Sequence, residues 1–166
     1  MKKKVFIVLA VVCLLATPLM AANSYKGSTD KGSFGIGLNL GTNTGVGMRF
    51  GMGNFDVLAN VGLNNFSTNT LSADAAVSYL VYTIDGGNKY IQFPITVGAG
   101  GSCAMTFGDD FSISVAALVP VGIEYTFVDV PITCYLRIAP GVQILSANDL
   151  HIGLGFAGYI GALWNF

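Results

Sequence analysis

The 166-residue chain is 52% hydrophobic and only 10% charged, with 22 glycines and a mean hydropathy of +0.62. Soluble domains carry charged residues at about 25%, and a disordered chain needs the opposite balance of low hydrophobicity and high net charge. Beyond Met20 every apolar run is broken by Asn, Gly, Thr, Ser or a charge. No stretch there supplies the roughly 20 consecutive apolar residues of a spanning helix, so the excess apolarity has to sit in another kind of element.

In chain order, the first segment has the layout of a secretory signal peptide. Lys2, Lys3 and Lys4 precede an apolar stretch from Val5 to Ala16, and Pro18-Leu19-Met20-Ala21-Ala22 ends on small residues. A retained anchor fits less well, because the stretch is short and no stop-transfer pattern follows. Val12 before Cys13 is a poor context for lipoprotein processing. The expected division is a cleaved signal over 1–22, a flexible segment over 23–32 and one domain over 33–166. Without the signal the chain keeps five basic residues, Lys26, Lys31, Arg49, Lys89 and Arg137, against nine acids, a net charge of −4. That excludes a basic surface for a phosphate backbone, and with it nucleic-acid binding.

Period-two alternation, the mark of a half-buried strand, then recurs along the chain. Phe34, Ile36, Leu38 and Leu40 alternate with Gly35, Gly37 and Asn39, and Val46, Met48, Phe50 and Met52 with Gly47, Arg49 and Gly51. After the Gly53-Asn54 turn signal, Phe55, Val57, Ala59, Val61 and Leu63 oppose Asp56, Leu58, Asn60 and Gly62. Ala73, Ala75, Val77 and Tyr79 oppose Ser72, Asp74, Ala76 and Ser78 within Leu71 to Val81. From Ile91 to Phe107 and again from Phe111 to Phe127 the odd positions are apolar and the even ones small or polar. Ile132, Cys134, Leu136, Ile138, Val142 and Ile144 alternate with Thr133, Tyr135, Arg137 and Gln143, and a last run ends at Trp164 and Phe166.

Eight runs joined by short links predict eight antiparallel strands, mostly long enough for the 9 to 11 tilted residues that cross an outer membrane. The expected fold class is therefore all-β, an eight-stranded antiparallel up-and-down transmembrane β-barrel. A soluble lipocalin-like barrel would point its apolar face inward and need a charged exterior. Here the other face is mainly Gly, Ala, Ser and Thr, which suits the crowded interior of a small barrel better than a solvated surface. Phe34, Phe55, Tyr79, Phe93, Phe107, Phe111, Tyr125, Phe127, Trp164 and Phe166 share the outward register and cluster near run ends, as an interfacial girdle would.

The predicted inward face carries Arg49, Asp56, Asp74, Glu124 and Arg137, together with Asn39, Asn60, Gln143, His151 and Tyr159. Charges in a narrow interior need partners. Glu124 and Arg137 lie on consecutive runs and Arg49 and Asp56 flank one turn, so these are the expected pairs. A plug of ion pairs is the leading expectation, and a narrow polar path the alternative. Catalysis would need a nucleophile, a base and an orienting group. His151, with Asp149 and Ser146 nearby, has no motif around it, and Ser, Asn and Asp are ordinary turn residues. No catalytic residue, cofactor or metal site is expected. Cys103 and Cys134 are on runs separated by a third, too far apart for a disulfide.

The ending Gly161-Ala162-Leu163-Trp164-Asn165-Phe166, apolar at alternate positions and closed by phenylalanine, resembles the signal by which bacterial outer-membrane barrels are recognised for assembly. With the signal peptide and the eight runs, the chain resembles the small OmpA/OmpX-type barrels. Gly35-Ile36-Gly37, Thr44-Gly45 and Val119 to Phe127 followed by Pro131 are similar to poorly characterised small barrels of spirochaetes. The resemblance implies an outer-membrane location, a lipid environment and insertion by the barrel-assembly machinery, with Gly161, Trp164 and Phe166 in the assembly signal. The function expected is a structural or surface-interaction role, with loops that could meet a surface or host ligand. A channel or carrier for small molecules is the alternative, and a lipid-modifying envelope enzyme a third.

Overall fold

In a computed structural model that describes residues 32–87, 91–108, 111–127, 129–146 and 149–166, the alternating runs form a single antiparallel sheet of nine strands. They are β1 (Phe34–Gly41), β2 (Asn43–Met52), β3 (Phe55–Asn64), β4 (Thr70–Asp85), β5 (Gln92–Thr106), β6 (Ser112–Leu118), β7 (Val121–Thr126), β8 (Ile132–Ser146) and β9 (Asp149–Asn165). The expected signal peptide and most of the segment after it lie outside the described residues.

Nine strands replace the eight expected because the run from Phe111 to Phe127 is divided at Val119-Pro120. Proline has no N–H to give the ladder. The register is unaffected: Leu118 pairs with Gly100 and Gly141, Val121 with Val97 and Ile138, so β6 and β7 continue one line between β5 and β8. Across the break Val119 N donates to Pro140 O and Gly98 N to Pro120 O, both at 2.8 Å.

Each remaining strand pairs with its predecessor, and β9 pairs with both β8 and β1. Tracing paired residues from Gly37 through Gly47, Asn60, Asp74, Ser102, Ala116, Gln143 and Gly153 leads back to β9, where Gly37's own partner is Leu163. One circuit therefore advances ten residues, from Gly153 to Leu163. Irregularities between Leu80 and Tyr82, Val115 and Ala116, and Gln143 and Leu145 are bulge-like interruptions that periodicity does not reveal.

The two faces differ as the alternation predicts, with the apolar face outward and the polar face buried. Large apolar side chains stand exposed on the outer face, among them Leu38, Leu136, Ile138, Ile152, Leu154 (96% exposed) and Ile160. The buried side chains are mostly polar or charged, with an apolar cluster of Leu118, Tyr135, Ala139, Ala157, Tyr159 and Leu163. Aromatic pairs gather at the end where the sheet begins and finishes: Phe34 with Phe166, Phe55 with Tyr79, and Tyr125 with both Phe93 and Phe127. Phe107 and Phe111 meet at the other end.

Candidate functional site

Alternation along β2, β7 and β8 turns Arg49, Glu124 and Arg137 to the inside, where each is no more than 2% exposed. Glu124 Oε2 accepts from Arg49 Nη1 and Oε1 from Arg137 Nη2, both at 2.6 Å. Such charge-assisted bonds are short because both partners are ionised. Arg49 Nη2 also donates to Asn165 Oδ1 at 2.9 Å, Asn165 Nδ2 to Thr133 Oγ1 at 2.8 Å, and the Thr133 and Thr126 hydroxyls lie 2.8 Å apart. One polar network thus joins β2, β7, β8 and β9.

The expected Glu124–Arg137 pair forms, and the expected Arg49–Asp56 pair does not. From β2 to β7 there are four pairings in either direction, through β3, β4 and β5 or through β1, β9 and β8. Arg49 therefore reaches across the interior instead of along its own turn. Asp56 is buried beside this network and makes no ion pair with either arginine. Arg137 has room because Gly122 is its cross-strand partner: a Cβ there would lie 2.7 Å from Arg137 Cγ. The Arg137 guanidinium carbon sits 5.1 Å from the Tyr135 ring centroid, a cation–π distance.

Tyr135 and Tyr159 meet edge to face at 6.4 Å and, with Leu118, Ala139 and Leu163, form an apolar layer next to the charges. Beyond that layer is Asp74, whose Oδ1 accepts from Asn60 Nδ2 at 2.6 Å and Oδ2 from Asn43 Nδ2 at 2.7 Å. It borders a polar cavity of about 200 Å³ at the end of the sheet carrying the β1–β2 and β3–β4 links. Period-two reading assigned Asp74, Asn60 and Tyr159 to this face and set Asn165 on it between Trp164 and Phe166, but it missed Asn43, which lay outside the alternating runs.

Cys103 and Cys134 are free and partly exposed, on β5 and β8 with the β6–β7 line between them. Among the described residues no group of three or more His, Cys, Asp or Glu side chains is arranged to hold a metal. The His151, Asp149 and Ser146 side chains lie outside what is described. At the chain end, Trp164 is exposed on the outer face, Phe166 stacks on Phe34 with centroids 6.1 Å apart, and Phe166 N donates to Phe34 O at 2.7 Å. Gly161 lies under Tyr135, whose hydroxyl would be 2.5 Å from an added Cβ.

No curated protein and no solved structure matches the chain. A family profile described as "Protein of unknown function (DUF3996)" matches residues 25–166, and the chain belongs to that family.

Proposed function

We propose that the chain is an integral outer-membrane protein: a closed, eight-stranded up-and-down β-barrel whose interior is plugged, with a structural or surface-interaction role. The observation that carries this reading is the inversion of the two faces. Leu154, Ile152, Leu38 and Phe156 are more than two-thirds exposed while Arg49, Glu124 and Arg137 are buried. Monomeric soluble proteins rarely expose contiguous apolar patches beyond a few hundred Å², whereas hydrocarbon solvates such a belt and demands that every ladder be closed.

The pairing of β1 with β9 supports such closure, with β6 and β7 counting as one strand. Eight strands with a ten-residue advance per circuit fit the 35–45° tilt of small barrels. β4, β5, β8 and β9, at 15 to 17 residues, exceed the 9–11 residues a tilted crossing needs. The aromatic pairs at the two ends suit the two membrane interfaces. Charged, apolar and polar layers in succession favour a plug over a conducting path. The alternating ending at Trp164 and Phe166 favours insertion by the barrel-assembly machinery, with both chain ends in the periplasm.

The test is to refold residues 23–166 in detergent and compare unheated and boiled samples on a gel, with circular dichroism. A faster unheated band with a strand spectrum is expected. Unchanged migration together with solubility in detergent-free buffer would overturn the membrane reading.

A further inference from the structure

The wall is not of one height. β1 pairs with β9 from Gly35–Asn165 up to Gly41–Tyr159, and Thr42 then leads into β2. β9 starts at Asp149, so from there to Ala157 its one partner among the described strands is β8. Successive residues of a strand turn their N–H and C=O to opposite neighbours. Asn165 N donates to Pro131 O on the β8 side, whereas Phe166 N donates to Phe34 O, and Gly158 O accepts from Thr42 N at 2.9 Å, on the β1 side. Gly158 N donates to Thr42 Oγ1 at 3.0 Å, which closes the last rung. By the same alternation Phe156 and Leu154 aim their N–H and C=O to the β1 side, above Thr42, where no described strand stands. Their side chains show the same gap. Leu154, Ile152 and Phe156 are 96%, 78% and 68% exposed, against 51% and 50% for Leu136 and Ile138, which have strands on both sides.

We propose that this upper edge of β9 is a docking edge for an extended, basic-tailed polypeptide segment of another protein, which adds a strand above Thr42 in line with β1. The inference deepens the surface-interaction role and rests on that reading. An open backbone edge is the complement of another extended backbone, and edges left open in hydrocarbon do not occur. The side chains of the added strand follow from the two faces it joins. Alternate residues lie beside Leu154 and Phe156 on the outer face and are apolar; those between face the polar cavity, which Thr42, Asn43, Gln143 and Gly155 line, and are small and polar. Charge sets the rest. By sequence, Asp109 and Asp110 stand between β5 and β6 and Asp149 begins β9, all at this end, whereas Lys26 and Lys31 precede β1, Lys89 stands between β4 and β5 at the other end, and Arg49 and Arg137 are buried. Complementary charge favours a cationic partner. A segment antiparallel to β9, as β1 is, carries its basic residues at its C-terminal end, nearest Asp149.

The probe is a capped peptide of three threonine–valine repeats followed by two lysines, added to isotope-labelled, detergent-refolded residues 23–166 at pH 7. In the protein alone the Leu154 and Phe156 amides are expected to exchange with solvent at least about tenfold faster than those of Gly155 and Ala157, which face β8. The peptide should shift the Leu154 and Phe156 signals saturably, with a midpoint in roughly the millimolar range or tighter, and slow their exchange by about tenfold or more. The same peptide N-methylated throughout, or ending in two glutamates, should bind at least about tenfold more weakly. Leu154→Pro removes an edge N–H without touching the β8 ladder and should abolish the response while keeping the gel shift. Should Leu154→Pro not fold, the N-methylated peptide decides the matter. Leu154 and Phe156 amides already as slow as their neighbours would mean that this chain's own residues cover the edge, and slow exchange that quickens on dilution that a second copy does; either overturns the proposal. So would equal binding of either control peptide, no saturable response, or an unchanged response in folded Leu154→Pro. Docking is judged by the amide signals and the barrel by the gel shift of the same sample, so the two can fail separately.

Discussion

Arg49 on β2 places its Nη1 2.6 Å from Oε2 of Glu124 on β7, across the interior and 75 positions away in the chain. Because Arg137 holds the other oxygen of the same carboxylate, removing Glu124 strands two buried cations at once. Breaking a buried pair typically costs about 3–5 kcal/mol, since the surviving charge loses its compensation. Glu124→Gln should therefore lower the free energy of unfolding by at least that amount, read from urea titrations in lipid vesicles. A change below about 1 kcal/mol would mean that water, not Glu124, compensates the arginines.

The same geometry predicts strong non-additivity. Neutralising the set together, with Arg49→Met, Glu124→Leu, Arg137→Met and Asp56→Asn, should recover most of the stability lost in Glu124→Gln, because well-packed apolar replacements of buried ions are often neutral or stabilising. Asp56 belongs in the set because it would otherwise be left buried without the nearby positive charge. Losses that simply add across the four sites, within about 0.5 kcal/mol, would show that the groups do not act as one network.

Alternation was enough to place Arg49, Asp56, Asp74, Glu124 and Arg137 on one face, because in a strand the direction of a side chain is local. It also found Glu124 with Arg137, which lie on strands adjacent in sequence. The Arg49–Glu124 pair was illegible for a physical reason: it depends on which strands stand opposite each other, and that follows from the ten-residue advance around all the pairings. The break at Pro120 was hidden as well, since the outward and inward pattern runs through it unchanged. Asn165 was legible as the polar position between Trp164 and Phe166, whereas Asn43 was missed because it lies outside the periodic runs, where periodicity has too few positions to speak.

The layered interior predicts a closed pore. Wild-type protein in a planar bilayer should show no stepwise conductance, and Glu124→Gln alone should stay closed, because the Tyr135–Tyr159 layer still separates the charged network from the Asp74 cavity. Combining Glu124→Gln with Tyr135→Ala and Tyr159→Ala removes both obstructions and should produce resolved openings. Steps from the wild-type protein would refute the plug.

On the outer face, position along the strand should set the cost of a charge. Ile138 lies near the middle of β8 and is half exposed, while Phe127 follows the end of β7. Ile138→Arg should destabilise the protein in vesicles by about 2–4 kcal/mol and Phe127→Arg by about 0–1 kcal/mol, the depth dependence of arginine on a lipid-facing strand. Equal, small effects at both positions would mean that the face meets water.

The chain end separates assembly from stability. Phe166 adds one backbone bond and one ring contact to Phe34, beyond the last strand pairing of β9 with β1 at Asn165 and Gly35. A hydrogen bond at such a site is worth about 1 kcal/mol, so deleting Phe166 should leave refolding in detergent and the gel shift nearly intact. If the alternating ending is instead read by the assembly machinery, the same deletion should sharply reduce the protein in the outer-membrane fraction of cells and leave it in the periplasm for proteolysis. Equal yields in cells would remove Phe166 from the assembly signal, and failure to refold in detergent would make its role structural.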